Sequence, residues 1–158
     1  LRMFGLSEKD LDKYIQEVEG KLIEETDYRL ELKRSKEISD ASKHIQNLIF
    51  PNYYPELSSD KVLTMDWLSG NHLIEFVEKE NPSQEIRDMI GQALWDFFEF
   101  QIHTLKKVHA DPHPGNFLFN SDGKVGIIDF GCVKEIPEDF YHDYFALLIP
   151  ELIDNEEM

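Results

Sequence analysis

The sequence predicts an α+β fold, mostly helical, from three observations. Ile86, Ile90, Ala93, Phe97, Gln101 and Leu105 recur at helical spacing and make one long face, widened by Leu94, Phe98 and Ile102. Two short apolar runs, 117–119 and 125–128, flank the turn sequence Asn120-Ser121-Asp122-Gly123 and read as a β-hairpin. The composition, 41% apolar and 12% aromatic over 158 residues, can build the core of one domain or a large piece of one.

Charge and cysteine content narrow the function. Acidic residues outnumber basic ones 32 to 16, for a formal charge of -16. That excess argues against a nucleic-acid surface, which needs clustered Lys and Arg, and against electrostatic docking on anionic lipid. Cys132 is the single cysteine, so no internal disulfide forms and a reducing, cytoplasmic compartment is expected. No run reaches membrane-spanning length and no signal peptide is present.

Taken in order, Ser7 caps a first helix with Asp10 in the capping-box position, and Leu11, Tyr14, Val18 and Leu22 continue it. Residues 24–33 are also helical; at about 100° per residue Asp27 and Glu31 share a face, while Glu25 and Glu31 are about 120° apart. An acidic face with i,i+4 partners explains these carboxylates as well as a function does. Residues 51–55 form a loop leading into a buried strand at 62–65, with a turn at Ser69-Gly70 and a short helix over 71–79. Asn81-Pro82 starts the long helix with Pro82 at its first position. Its aromatic residues, Trp95, Phe97, Phe98 and Phe100, are expected from a helix buried on most sides. Residues 139–148 make a last, packing helix.

The chemistry gathers in residues 109–131, H-A-D-P-H-P-G-N-F-L-F-N-S-D-G-K-V-G-I-I-D-F-G. Asp111 and Asn116 have the D-x-x-x-x-N spacing of a kinase catalytic loop, and Asp129-Phe130-Gly131 matches the metal-binding D-F-G. Phosphoryl transfer needs these types: a carboxylate for the attacking hydroxyl, with an amide oxygen and a second carboxylate as hard ligands for Mg²⁺. The hairpin would bring Asn116 and Asp129 side by side. Two other readings stay open. The segment could be a plain tight loop, or His109, Asp111 and His113 could be transition-metal ligands, although no Cys or further His lies nearby to complete a tetrahedral set.

The ordered series E-x-D-Y-x-x-E at residues 25–31, V-L-T-M-D-W-L-S-G, H-A-D-P-H-P-G-N and D-F-G resembles the UbiB/AarF atypical kinase-like family across residues 22–137. The resemblance implies a protein-kinase-like fold. Residues 1–48 would be helices including a C-helix equivalent, 49–70 a remnant of the N-lobe sheet with the hinge, and 71–158 the C-lobe. It implies ATP and Mg²⁺ as cofactors, with Asp111 and Asn116 catalytic, and Asn116 and Asp129 at the metal. Glu31 would partner a strand lysine, and Glu25 and Asp27 form the family's E-x-D pair. Met65, Asp66 and Leu68 fall at the hinge, where backbone groups meet the adenine. The nucleotide-covering loop, the N-terminal extension and the strand lysine do not precede this stretch, and Lys9, Lys13 and Lys21 lie in helical sequence. A fragment, inactive alone, is therefore expected.

Ala110 replaces the Arg of H-R-D, and only residues 132–136 separate Gly131 from Pro137, so a protein-substrate platform has little room. The expected reaction is Mg²⁺-dependent ATP hydrolysis or phosphoryl transfer to a small or lipid-like substrate. In the family this belongs to isoprenoid-lipid (ubiquinone-like) metabolism, with lipid-biosynthesis proteins as partners and peripheral membrane contact for the full-length protein. The alternatives are a phosphotransferase of the aminoglycoside or choline kinase type, whose H-x-D-x-H-x-x-N loop the sequence also satisfies, and a non-catalytic nucleotide-binding regulator.

Overall fold

The computed structural model describes residues 26–147 and Ile15. The expected helix around Ser7 and Asp10, the lysines at 9, 13 and 21, and Glu25 lie outside the described residues. Helix α1 spans Tyr28–Ser42. Asp27 is its N-cap, not a member of its face: the carboxylate accepts the N–H groups of Arg29 at 3.0 Å and Leu30 at 3.3 Å. The helix buries Ser35, Ile38, Ser39 and Ser42, a stripe at i, i+3, i+4 and i+7.

Strand β1 is the two-residue Leu48–Ile49. Helix α2, Leu73–Glu75, runs on as a π turn over Phe76–Glu80. Helix α3, Gln84–Phe100, also passes into a π turn, over Gln101–Leu105. Ser83 caps α3, its hydroxyl accepting Ile86 N–H at 3.3 Å, so Pro82 stands before the cap and not at the first helical position. Strands β2 (Lys107–His109), β3 (Phe117–Phe119), β4 (Val125–Ile127) and β5 (Val133–Glu135) follow, then helix α4, Glu138–Ala146.

Two small sheets result. β4 is central in the order β1-β4-β3, parallel to β1 and antiparallel to β3, with Phe117 opposite Ile127 and Phe119 opposite Val125. β2 pairs antiparallel with β5, His109 opposite Val133. This is the predicted hairpin, and Gly123 at φ 82° closes its turn. Val125, Ile127 and Phe130 are fully buried. They join two apolar clusters, one of Ile38, Ile45, Phe97 and Val133, the other of Phe76, Ile90 and Phe119.

Three expectations need correction. Residues 62–65 are not a buried strand: they are extended, joined to the preceding loop by a single bridge between Tyr53 and Met65, and Val62 is exposed. No further strand among the described residues pairs beside them. Helix α3 is buried on one face only; Ile90, Ala93 and Phe97 are covered, while Trp95 and Phe98 stand in solvent with their rings 6.0 Å apart. Helix α4 has no buried residue, so it leans on its neighbour and is not packed into a core. The long α3, the hairpin and the two small sheets make a mixed α+β fold of the kinase-like kind.

Candidate active site

Strand β2 delivers the chain to the loop that carries Asp111. The His109 ring is buried against Phe130, centroids 5.6 Å apart, and beside Phe117 at 6.3 Å. Ala110 N–H donates to Cys132 O at 2.8 Å, tying the loop to the strand after the D-F-G run. Pro112 and Pro114 bar regular structure here, and the chain tightens into a 3-10 turn at Pro114–Asn116. His113 caps that turn, its Nδ1 accepting Gly115 N–H at 3.0 Å.

Asn116 is the joint of the site. Its Nδ2 donates to the Asp111 carbonyl at 3.2 Å, and its own carbonyl accepts Ile128 N–H at 3.1 Å. One residue therefore binds the Asp111 loop to the strand that leads into Asp129. Asp129 Oδ1 in turn accepts Gly131 N–H at 2.7 Å, which fixes the carboxylate. Gly131 allows a close approach: a Cβ there would stand 3.3 Å from Asp129 Oδ1 and 3.8 Å from Glu31 Oε2.

Glu31, Asp111 and Asp129 face one polar pocket of about 370 Å³, completed by Tyr28, Gly131 and Cys132. Among the described residues no basic side chain lines it. Burial pushes the Glu31 carboxyl up to about 7, and the Asp129 charge adds to the rise. Tyr53, buried nearby, has its hydroxyl pushed up to about 12, first by burial and then by the Glu31 and Asp129 charges, with the Ser35 hydroxyl working against them. Arg34 lies just outside, Nη1 donating to Gly131 O at 3.2 Å. A pocket so rich in carboxylate oxygen calls for cations.

The other sequence-predicted residues fall elsewhere. Met65, Asp66, Leu68 and Asn116 do not line this pocket. Asp66 is spent on a clamp: its carboxylate accepts Asn52 Nδ2 and the Tyr54 hydroxyl, each at 2.6 Å, and its N–H donates to Asn52 O at 2.9 Å. These donors hold the exposed Asp66 carboxyl below the usual range, Tyr54 contributing most. Asp66 could therefore meet a base only through its carbonyl. Leu68 packs toward Gly126, where a Cβ would stand 3.1 Å from its Cδ1. Among the described residues no three His, Cys, Asp or Glu side chains converge to hold a metal by themselves. His109, Asp111 and His113 are not such a set. Mg²⁺ asks for less: one or two carboxylates with water and phosphate oxygens suffice, and the Asp129 carboxylate at the pocket is a hard donor of that kind.

Arg34, Tyr53 and Gln101 were not marked as site residues by sequence reasoning. Each is brought in by folding distance, and only Gln101, a polar residue on an apolar helical face, carried a local signal. Among the described residues no helix is long and apolar enough to cross a membrane.

Comparison with known proteins gives the family. The family model of the ABC1 atypical kinase-like domain matches residues 2–157. The yeast (Saccharomyces cerevisiae) mitochondrial atypical kinase COQ8 is 30% identical over 139 residues, 87% of this chain and 27% of COQ8. The chloroplastic protein ACTIVITY OF BC1 COMPLEX KINASE 3 of Arabidopsis thaliana is 29% identical over 130 residues, 82% of this chain and 18% of the relative. The solved Mycobacterium tuberculosis protein Rv3197, in complex with erythromycin, superposes with a TM-score of 0.68 at 31% identity, over 81% of this chain and 32% of that one. The chain thus spans well under a third of the length of these two curated relatives. It belongs to the ABC1 (UbiB/AarF) atypical kinase-like family.

Proposed function

We propose that the intact protein binds ATP with Mg²⁺ and turns it over, by hydrolysis or by phosphoryl transfer to a small or lipid-like acceptor of isoprenoid-quinone metabolism. The observation that carries this reading is the convergence of Glu31, Asp111 and Asp129 on one polar pocket, with Asn116 bonded to the Asp111 backbone. Asp129, with the Asn116 amide oxygen, would hold Mg²⁺, which would supply neutralisation of the phosphate charge. The protein's own groups do the rest. Asp111, exposed at the pocket wall, orients the attacking hydroxyl and accepts its proton. Asn116 keeps the Asp111 backbone in register with Asp129. Glu31, carrying a carboxyl near neutrality, is the natural partner of a cation arriving from the phosphate side.

The short connection from Gly131 to α4 leaves little platform for a protein substrate, which favours the small acceptor. The 158-residue chain alone is proposed to lack turnover, since no lysine among the described residues lines the pocket beside Glu31. For the full-length protein we propose a cytoplasm-facing location, with peripheral membrane contact and lipid-biosynthesis proteins as partners. The test is ATP turnover by the full-length protein and by its Asp111→Asn variant. Loss of turnover with retained MgATP binding is the expected outcome. MgATP binding without any turnover by the parent, with lipid acceptors and vesicles present, would instead make the protein a non-catalytic nucleotide-binding regulator.

A further inference from the structure

We propose that Gln101 is the positioning residue of the catalytic loop, holding the backbone at His109 so that Asp111 is presented to the pocket. The inference rests on the catalytic reading of Asp111 above. It starts from a departure in the long helix: α3 is regular to Phe100 and then widens into a π turn over Gln101–Leu105. Such turns are uncommon and are often kept where function needs a side chain re-aimed.

Gln101 is 4% exposed, on the face that Ile90, Ala93 and Phe97 bury. A buried amide is costly unless both of its ends are bonded. Nε2 donates to Phe97 O at 3.3 Å, and Oε1 accepts the backbone N–H of His109 at 2.6 Å, so both are. The chain returns to meet it because Lys106 adopts a left-handed conformation, φ 54°, with its N–H bonded to Gln101 O. β2 then runs back along the end of the helix.

Among the described residues β2 has one neighbouring strand, β5. Ile136 N–H donates to Lys106 O and Ala110 N–H to Cys132 O, each at 2.8 Å, so the N–H of His109, at the alternate position, faces away from β5. That N–H is buried and would be an orphan. Gln101 Oε1 stands where the carbonyl of a missing strand would be. The consequence reaches the chemistry in two residues: the Asp111 N–H donates to His109 Nδ1 at 3.4 Å, and the same ring lies on Phe130 of the D-F-G run. One side chain thus ties the helix to the Asp111 loop and, through the His109 ring, to the D-F-G run, while touching no carboxylate of the site.

The experiment uses the full-length protein with MgATP as probe and three variants, Gln101→Leu, Gln101→Glu and Leu94→Ala. Leu94 packs near the same helix face without bonding the loop, and serves as the control for lost packing alone. Gln101→Leu should leave the His109 N–H unpaired, lower kcat by roughly tenfold with KM for MgATP unchanged, and speed amide exchange at His109 and Asp111. Gln101→Glu keeps an acceptor for that N–H and should recover most of kcat. Leu94→Ala should lower Tm and leave kcat alone. Wild-type kcat and unchanged His109 exchange in Gln101→Leu would overturn the proposal, as would an equal loss of kcat in Leu94→Ala. Where the parent has no turnover, amide exchange alone decides: faster exchange confined to residues 109–111 in Gln101→Leu supports the positioning role even as the catalytic reading fails.

Discussion

Replacing Glu31 with Gln keeps the shape of the side chain and removes its charge, which makes it a direct probe of the acidic pocket. In the fold the carboxyl is raised from its ordinary 4.5 to about 7, by burial first and by Asp129 second. A raised acid favours the protonated fold. Its contribution is fully present below pH 4.5 and is lost as pH rises through about 7. The full shift would correspond to at most ~3 kcal/mol, and because Glu31 is only half-buried, solvent screening reduces this to about 1–2 kcal/mol. The assay is thermal unfolding of both proteins at pH 5 and pH 8, without nucleotide or divalent ions. The advantage of Glu31→Gln over the parent should grow by several degrees from the lower pH to the higher. A difference that stays flat would mean Glu31 titrates as an ordinary surface acid. A parent that gains on the variant at pH 8 would mean a cation already faces Glu31; either result refutes the reasoning.

Phe130→Ala removes a fully buried ring seated between Phe50, Phe97 and His109, at centroid distances of 6.1, 6.4 and 5.6 Å. It should cost ~3–5 kcal/mol in urea unfolding. Gly131→Ala places a methyl 3.3 Å from Asp129 Oδ1, so the carboxylate must shift by a few tenths of an ångström. Its expected signature is weaker MgATP binding with a stability change under about 1 kcal/mol, read by calorimetry beside a thermal melt. Asp27→Ala strips the α1 cap of its two accepted N–H groups and should cost about 1 kcal/mol in circular-dichroism melts.

Local chemistry made part of this molecule readable before folding was known. The hairpin follows from Asn120-Ser121-Asp122-Gly123 between apolar runs, and β3 and β4 pair as that turn requires. The α3 face follows from spacing, since Ile90, Ala93, Phe97 and Gln101 are the residues the fold buries there. What eluded the sequence depends on partners distant along the chain. β1 exists as a strand because Leu48 and Ile49 lie parallel to Val125 and Gly126, and two residues alone carry no pattern. The π turn is invisible to a 3.6-residue period, since it adds a residue where the period assumes none. Val62–Met65 has strand composition, yet without a neighbouring strand among the described residues it stays a half-buried ribbon with Val62 exposed.

The candidate site divides in the same way. Asp111 and Asp129 stood out in the sequence as D-x-x-x-x-N and D-F-G, and folding sets both on one pocket, while Asn116 meets that pocket only through its bonds to Asp111 O and Ile128 N–H. Glu31 needed the resemblance to the family, since its spacing on a helix serves a solvated face equally well. Arg34 and Tyr53 needed the fold itself. Asp66 was expected at a hinge and not as a clamp, because Asn52 and Tyr54 reach it from across a loop.

The central claim is that Asp129, held by Gly131 N–H beside Glu31 and Asp111, anchors a magnesium–triphosphate complex. Calorimetric titration of ATP into the full-length protein and its Asp129→Asn variant, each with Mg²⁺ and then with excess chelator, tests it most directly. The parent should bind ATP tightly only with Mg²⁺, and the variant should lose this metal dependence. Equal, Mg²⁺-dependent binding by both proteins would contradict it.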